Sequence, residues 1–432
     1  MVKLFDELAE QEDEELMGVY KKLYGPALQL SLLFPSWKRE NLYKTFGIIL
    51  VYTVTLLVHF YVLSVSVVML RDDFEAACLA FHYWLIFLMV FLSLALINKD
   101  RRTFSFAHRC LARDMGNYAA GRIYSESKPL VLEARKKKEL FRFLVLPGMV
   151  VILAAALLIV PYLKKINNPP HYSAYGVNMN LPIATHYPFP TDHGIIHGVV
   201  VLGQLSAAFS LAVIVVSLEL LLFRVSQAII FEFKILQYAL KTLFERSERL
   251  FFQLHPDYYG KLSHMNSNYQ KCITRCIQDC VKHHYKIQEL LQAYEYVLKW
   301  PAALGYGIGT GVIGLGLVTL LMAKEKGNLE NVVIFSLLIV AEVLNMYIVS
   351  VFGEDITTES AAVRDELYFI DWYKLNIPNR RMMLNFQVGI TNPVIVKAGG
   401  LVALCMDTFS SIMNTSYSFF NLMNANPLDG NK

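Results

Sequence analysis

Six uninterrupted apolar stretches and a seventh, more polar one constrain this 432-residue chain more than any other feature. A helix crossing a hydrocarbon core of about 30 Å needs roughly 20 apolar residues. On that scale spans are expected at 46–69, 79–97, 141–163, 196–222, 300–323, 332–352 and 398–423. The last holds Asp407, Asn414 and several Ser and Thr, and hydropathy ranks it weakest. Backbone amides in lipid must be satisfied within the segment, so the expected fold is all-α, a polytopic membrane protein with seven transmembrane helices. With 55% hydrophobic and 18% charged residues the chain is too apolar for water, which excludes a soluble enzyme, a coiled coil or a disordered tail. The formal charge of +4 points to no nucleic-acid partner.

Lysine and arginine set the expected orientation. Residues 1–18 carry Asp6, Glu7, Glu10 and the run from Glu12 to Glu15 and have no small-residue cleavage site, so the N-terminus is expected inside. Segments 1–45, 98–142, 223–299 and 353–397 then lie inside and hold 34 of the 40 basic residues. An odd number of spans leaves the C-terminus outside, opposite to a G-protein-coupled receptor. Of six cysteines only Cys78 lies near the outer face, so no external disulfide is expected within the chain. The organisation expected is an N-terminal segment with four spans (1–222), a helical inner extension or anchor (223–299), spans five and six (300–352), an inner anchor helix (353–397), and a final span with outer tail (398–432).

Several patterns have simpler readings than their spelling invites. Gly309, Gly311 and Gly314 fit a dinucleotide-binding motif but sit in an apolar helix without the strand and acid it needs, so close helix packing is expected. Gly305-Tyr306-Gly307 has the spelling of a potassium filter without the re-entrant loop. Cys272, Cys276 and Cys280 fall at i, i+4 and i+8 near His283 and His284; a buried helix face explains them better than zinc. Asn414-Thr415-Ser416 is a glycosylation sequon inside a span. No metal, cofactor or catalytic constellation is expected.

Asp407, Ser410, Ser411, Asn414, Ser418, Asn421 and Asn424 or Ala425 recur at three- and four-residue steps, a polar stripe along the final helix. Polar groups at membrane depth face protein or water. A stripe this long fits a water-filled lumen, the alternative being a polar interface in a sealed bundle.

The C-terminal third reads Gly353, Ser360, Tyr368, Trp372-Tyr373, Arg380-Arg381, Pro393 and finally Thr415-Ser416-Tyr417-Ser418-Phe419-Phe420. This order resembles the insect odorant receptor family, with Phe419 where the closing signature usually has Tyr. The match covers about 70 residues well, and Gln204 of the fourth span agrees more weakly. The chain resembles a ligand-tuned subunit rather than the longer shared co-receptor. The resemblance implies a tetrameric, odorant-gated, nonselective cation channel in the plasma membrane of an olfactory neuron, assembled with the co-receptor and needing no cofactor. It aligns Leu422 with the apolar gate, flanked by Asn421 and Ala425, and places Asp407 near the inner end, where a ring of carboxylates would gather cations.

The same resemblance implies a pocket among the outer halves of spans two, three, four and six. These halves contribute Cys78, Phe81, His82, Leu85, Leu158, Tyr162, Val200, Gln204, Phe335 and Ile339. Mostly aliphatic with few polar anchors, they fit a small, weakly polar volatile, with His82 and Tyr162 the hydrogen-bonding exceptions. The loop 164–195 would cap the pocket. A gustatory-type homomeric channel lacks its closing motif here. A G-protein-coupled receptor is opposed by the charge count and by the missing Asp-Arg-Tyr triplet, and a transporter by the lack of repeated halves.

Overall fold

The computed structural model describes residues 14–24, 42–112, 115–119, 123–127, 148, 162, 171–173, 175–192 and 194–425. The elements are α1 (Glu14–Tyr24), α2 (Leu42–Met69), α3 (Phe74–Lys99), α4 (Arg101–Ala112), α5 (Gly194–Lys241), α6 (Leu243–Leu254), α7 (Ser267–Glu325), α8 (Leu329–Tyr368) and α9 (Ile377–Gly389). A two-stranded hairpin, β1 (Lys397–Ala398) and β2 (Val402–Ala403), leads into α10 (Met406–Ala425). Among the described residues five helices are long and apolar enough to cross a membrane: α2, α3, α5, α7 and α8. They coincide with expected spans one, two, four, five and six. The third span lies outside the described residues except for Gly148 and Tyr162, and with it lies Leu158.

Three helices outrun their expected spans. α5 continues from 222 to Lys241, α7 begins at Ser267 and α8 runs on to Tyr368. The extensions are amphipathic instead of uniformly apolar: Phe233, Ile235, Leu236 and Ala239 of α5 and Ile273, Ile277 and Ile287 of α7 are fully buried, while Lys271 and Arg275 stay exposed. α7 is the hub, packing on α3, α4, α5, α6, α8, α9 and α10. Its start is capped by Asn266, whose Oδ1 accepts from Asn268 N at 2.9 Å and Tyr269 N at 3.2 Å. Gly327, at φ 69°, turns the chain back into α8. The chain thus forms one bundle with two ends: a loop end carrying residues 171–192 and an extension end where α4, α6 and α9 gather.

Two expected elements are corrected. The final span does not begin at 398, because Gly399 and Gly400, at φ 62° and 75°, turn the chain into the hairpin and α10 starts only at Met406. Apolar Leu401, Val402 and Leu404 had extended the run without being helical. The anchor expected as a helix within 353–397 is not one helix either. α8 ends at Tyr368, Trp372–Lys374 form a single 3₁₀ turn, and α9 restarts where Asn376 Oδ1 accepts from Asn379 N at 3.0 Å beside Pro378.

At the extension end His108 of α4 is buried, its ring 5.1 Å from Tyr20 of α1 and its Nδ1 donating to Phe104 O at 2.8 Å. Burial holds its pKa down at about 4 against an ordinary 6.5. The unfolded chain binds this proton below 6.5 and the native one does not until about 4. Stability is therefore whole above 6.5 and falls as pH drops from 6.5 toward 4, by about 3 kcal/mol from this group. Thermal unfolding of the detergent-purified protein across that window should show the decline, and His108→Phe should make it shallower while His284, also held at about 4, keeps part of it; an equally steep profile in the variant refutes the assignment.

Candidate functional site

α10 has two unlike faces. Phe409, Ile412 and Met413 pack into the bundle against α7 and α8, with Phe409 5.6 Å from the Tyr347 ring. Asp407, Ser410, Ser411, Asn414, Ser418 and Asn421 are exposed, the stripe read from the sequence. Leu422 is 59% exposed beside it, and Ala425 is the last residue of the helix. Ser418 Oγ donates to Asn414 O at 2.8 Å and Thr415 Oγ1 to Ser411 O at 2.8 Å, so these hydroxyls leave the helix intact while keeping its surface polar. Among the described residues nothing covers this face.

The entry to α10 is held at four points. Ser360 Oγ accepts from Val394 N at 2.9 Å, directly after Pro393. Gly399 N donates to Lys299 O of α7 at 2.7 Å. Glu354 Oε2 accepts from Met406 N at 3.3 Å, at the helix start. Gly353 of α8 lies so close beneath the hairpin exit that a Cβ there would overlap the Leu404 carbonyl. Gly353, Ser360 and Pro393 therefore share one task, fixing the start of α10 on α8. The basic pair does local work: Arg380 donates to Leu375 O at 2.8 Å and Tyr373 O at 3.0 Å and lies 5.4 Å from the Trp372 ring.

The expected ligand residues fall into two groups. On α3, Cys78 and His82 are buried, while Phe81 and Leu85 are half-buried, with Phe81 stacked on Trp84 at 5.6 Å. Phe335 of α8, with Ile334 and Leu338, packs on Leu79 of α3 and Leu320 of α7, and Ile339 lies against Gly316. On α5, Val200 packs instead with Leu181, Val201, Tyr162 and Tyr187. Tyr162 OH donates to His197 Nε2 at 3.1 Å, and His197 Nδ1 donates to Thr191 O at 2.7 Å. Gln204 is fully engaged by the loop: Oε1 accepts from Ile183 N at 3.1 Å, and Nε2 donates to Ile183 O at 3.0 Å and Thr185 Oγ1 at 2.8 Å. Residues 181–187, part of the loop expected to cap the pocket from outside, thus stand among the candidates themselves.

The glycine pattern is explained by packing only in part: a side chain at Gly309, or at Gly316 further along α7, would strike Glu342 or Ile339 of α8, whereas a Cβ at Gly311 or Gly314 meets nothing within 4 Å. Cys272, Cys276 and Cys280 are buried along α7, and burial pushes the Cys280 thiol up to about 11, leaving it protonated. His283 is held between Tyr118 OH, 2.7 Å from Nδ1, and Glu232 Oε2, 2.9 Å from Nε2. His284 beside it is pushed down to about 4, first by burial and then by His283. These groups tie the segment after α4 to α5 and α7.

A family model described as 7tm Odorant receptor matches residues 125–417. Among curated proteins the chain is similar to odorant receptor 2a of Drosophila melanogaster, 26% identical over 156 residues, which are 36% of this chain and 38% of that protein. Odorant receptor 33b of the same fly is 24% identical over 145 residues, 33% of this chain and 38% of that one. These alignments span well under half the length of either relative. The fold is similar to the insect olfactory receptor OR5 from Machilis hrabei, solved with eugenol: TM-score 0.73 at 10% identity, covering 95% of this chain and all of that one. A second structure of the same receptor gives a TM-score of 0.72 at 12% identity, over 97% and all of the two chains.

Proposed function

The chain belongs to the 7tm odorant receptor family, a family of multi-pass membrane receptors, and from that premise we propose that it is a ligand-tuned subunit of an odorant-gated, nonselective cation channel. One observation carries the channel reading: the polar face of α10 lies uncovered along a helix whose other face is bound to the bundle. At membrane depth such a stripe requires water or the same stripe from neighbouring subunits, and both hold around a central pore. Asp407 at one end would concentrate cations and Leu422 near the other would close the path by dewetting. The working complex is a tetramer with the co-receptor in the plasma membrane of a sensory dendrite, N-terminus inside.

The ligand is a small volatile held by shape and dispersion between α3, α5 and α8 at the loop end, which faces outward. It binds the open arrangement better than the closed one and biases an equilibrium that exists without it. The hairpin held on Gly353 and Lys299 gives α7 and α8 a direct grip on the pore helix. Voltage-clamped cells expressing the chain with a co-receptor should pass inward cation current to some members of a volatile panel; no current from surface-labelled complexes across the panel overturns the proposal. A C-terminal tag should stain in intact cells, and staining only after permeabilisation would reverse the orientation.

A further inference from the structure

The loop between the third span and α5 does not rest on the surface of the bundle. Its residues Leu181, Ile183 and Thr185 are buried, with exposures of 1%, 8% and 3%. They meet Gln204, ten residues into α5 and so about 15 Å along it. On the facing side His186 N donates to Ser66 Oγ of α2 at 2.8 Å, and Ser66 itself donates to Val62 O. Non-helical backbone at such depth persists only where buried partners satisfy it. Here Gln204 and Ser66 do so, with Ile183 taking both a donor and an acceptor from one amide.

From this geometry we propose that residues 181–187 form a wall of the odorant cavity and decide which volatile fits, and that Gln204 is a positioning residue that sets the depth of that wall. The inference rests on the ligand-gated reading above. Both amide hydrogens of Gln204 are donated to the loop and its oxygen accepts from Ile183 N, so the side chain is committed to holding the loop. Ile183 is itself buried and bonded through its backbone to Gln204, which stands among the pocket candidates on α5. Leu181 and Tyr187 meet Val200 and Tyr162 in the same way. The wall is the fixed boundary against which ligand length is measured.

A homologous series of straight-chain alcohols applied to the coexpressed complex tests this. Ile183→Ala should lengthen the best-tolerated chain, shifting the ratio of half-maximal concentrations between a longer and a shorter alcohol about tenfold. Gln204→Leu should change the same ratio, and Gln204→Glu, which keeps the acceptor for Ile183 N, should restore part of it. An unaltered length preference in Ile183→Ala at parental surface density overturns the inference, even if Gln204→Leu fails to reach the surface. Absence of any response in the parent complex would instead count against the channel reading, so the two failures are distinct.

Discussion

Gly353→Ala should abolish odorant-evoked current. The added methyl would occupy the space of the Leu404 carbonyl, and its other neighbours are the Leu404 carbonyl carbon and Cβ. An inserted carbon in a packed core costs roughly 1–3 kcal/mol when side chains can shift. Here the obstacle is backbone, held on both sides by Leu404 N donating to Val396 O at 2.9 Å and Met406 N donating to Glu354 at 3.3 Å. The hairpin would have to leave α8, and α10 would lose its fixed origin. Surface labelling and current should be measured together; normal current in Gly353→Ala would show that the hairpin seat has no part in folding or gating. Ala303→Gly, on α7 close to Gly399 of the same hairpin, should retain most of the current and serves as control.

Leu422→Ala should raise current in the absence of odorant. Leu422 is 59% exposed in a single chain, beside a stripe of Ser and Asn on a helix whose last turns also expose Tyr417 and Phe419. In the proposed channel this side chain would meet its counterparts across the axis and form an apolar constriction. Removing such a side chain forfeits about 2 kcal/mol of apolar burial for each subunit carrying it, and about 1.4 kcal/mol already changes an equilibrium tenfold. Basal conductance of the coexpressed complex should therefore rise by an order of magnitude or more. Unchanged leak, gating and permeation in this variant would remove Leu422 from the gate.

The sequence carried the membrane helices well because a continuous apolar run has one cheap solution in lipid. It carried their continuations beyond the spans poorly, since Glu232 and Lys234 interrupt hydropathy while Phe233, Ile235 and Leu236 keep one face buried. It misjudged 398–405, where apolar residues follow two glycines whose positive φ only the fold reveals. The stripe on α10 was readable because its spacing is local to one helix. The loop at 181–187 was not, since its place depends on Gln204 and Ser66, about 20 and 120 positions away in sequence. Local periodicity is written in the sequence directly; a long-range hydrogen bond leaves no such trace.

α7 runs unbroken for 59 residues, roughly 90 Å, and carries a single proline at position 301. Proline removes one rung of the helix ladder, so a rod of this kind bends there in preference to anywhere else. The hairpin that starts the last helix hangs from Lys299, two residues away. A rotation of a few degrees about that pivot would sweep the far tips of the rod through several ångströms yet barely disturb the suspension point, a mechanical arrangement that trades large travel at a distant mouth for a small, forceful displacement at the throat.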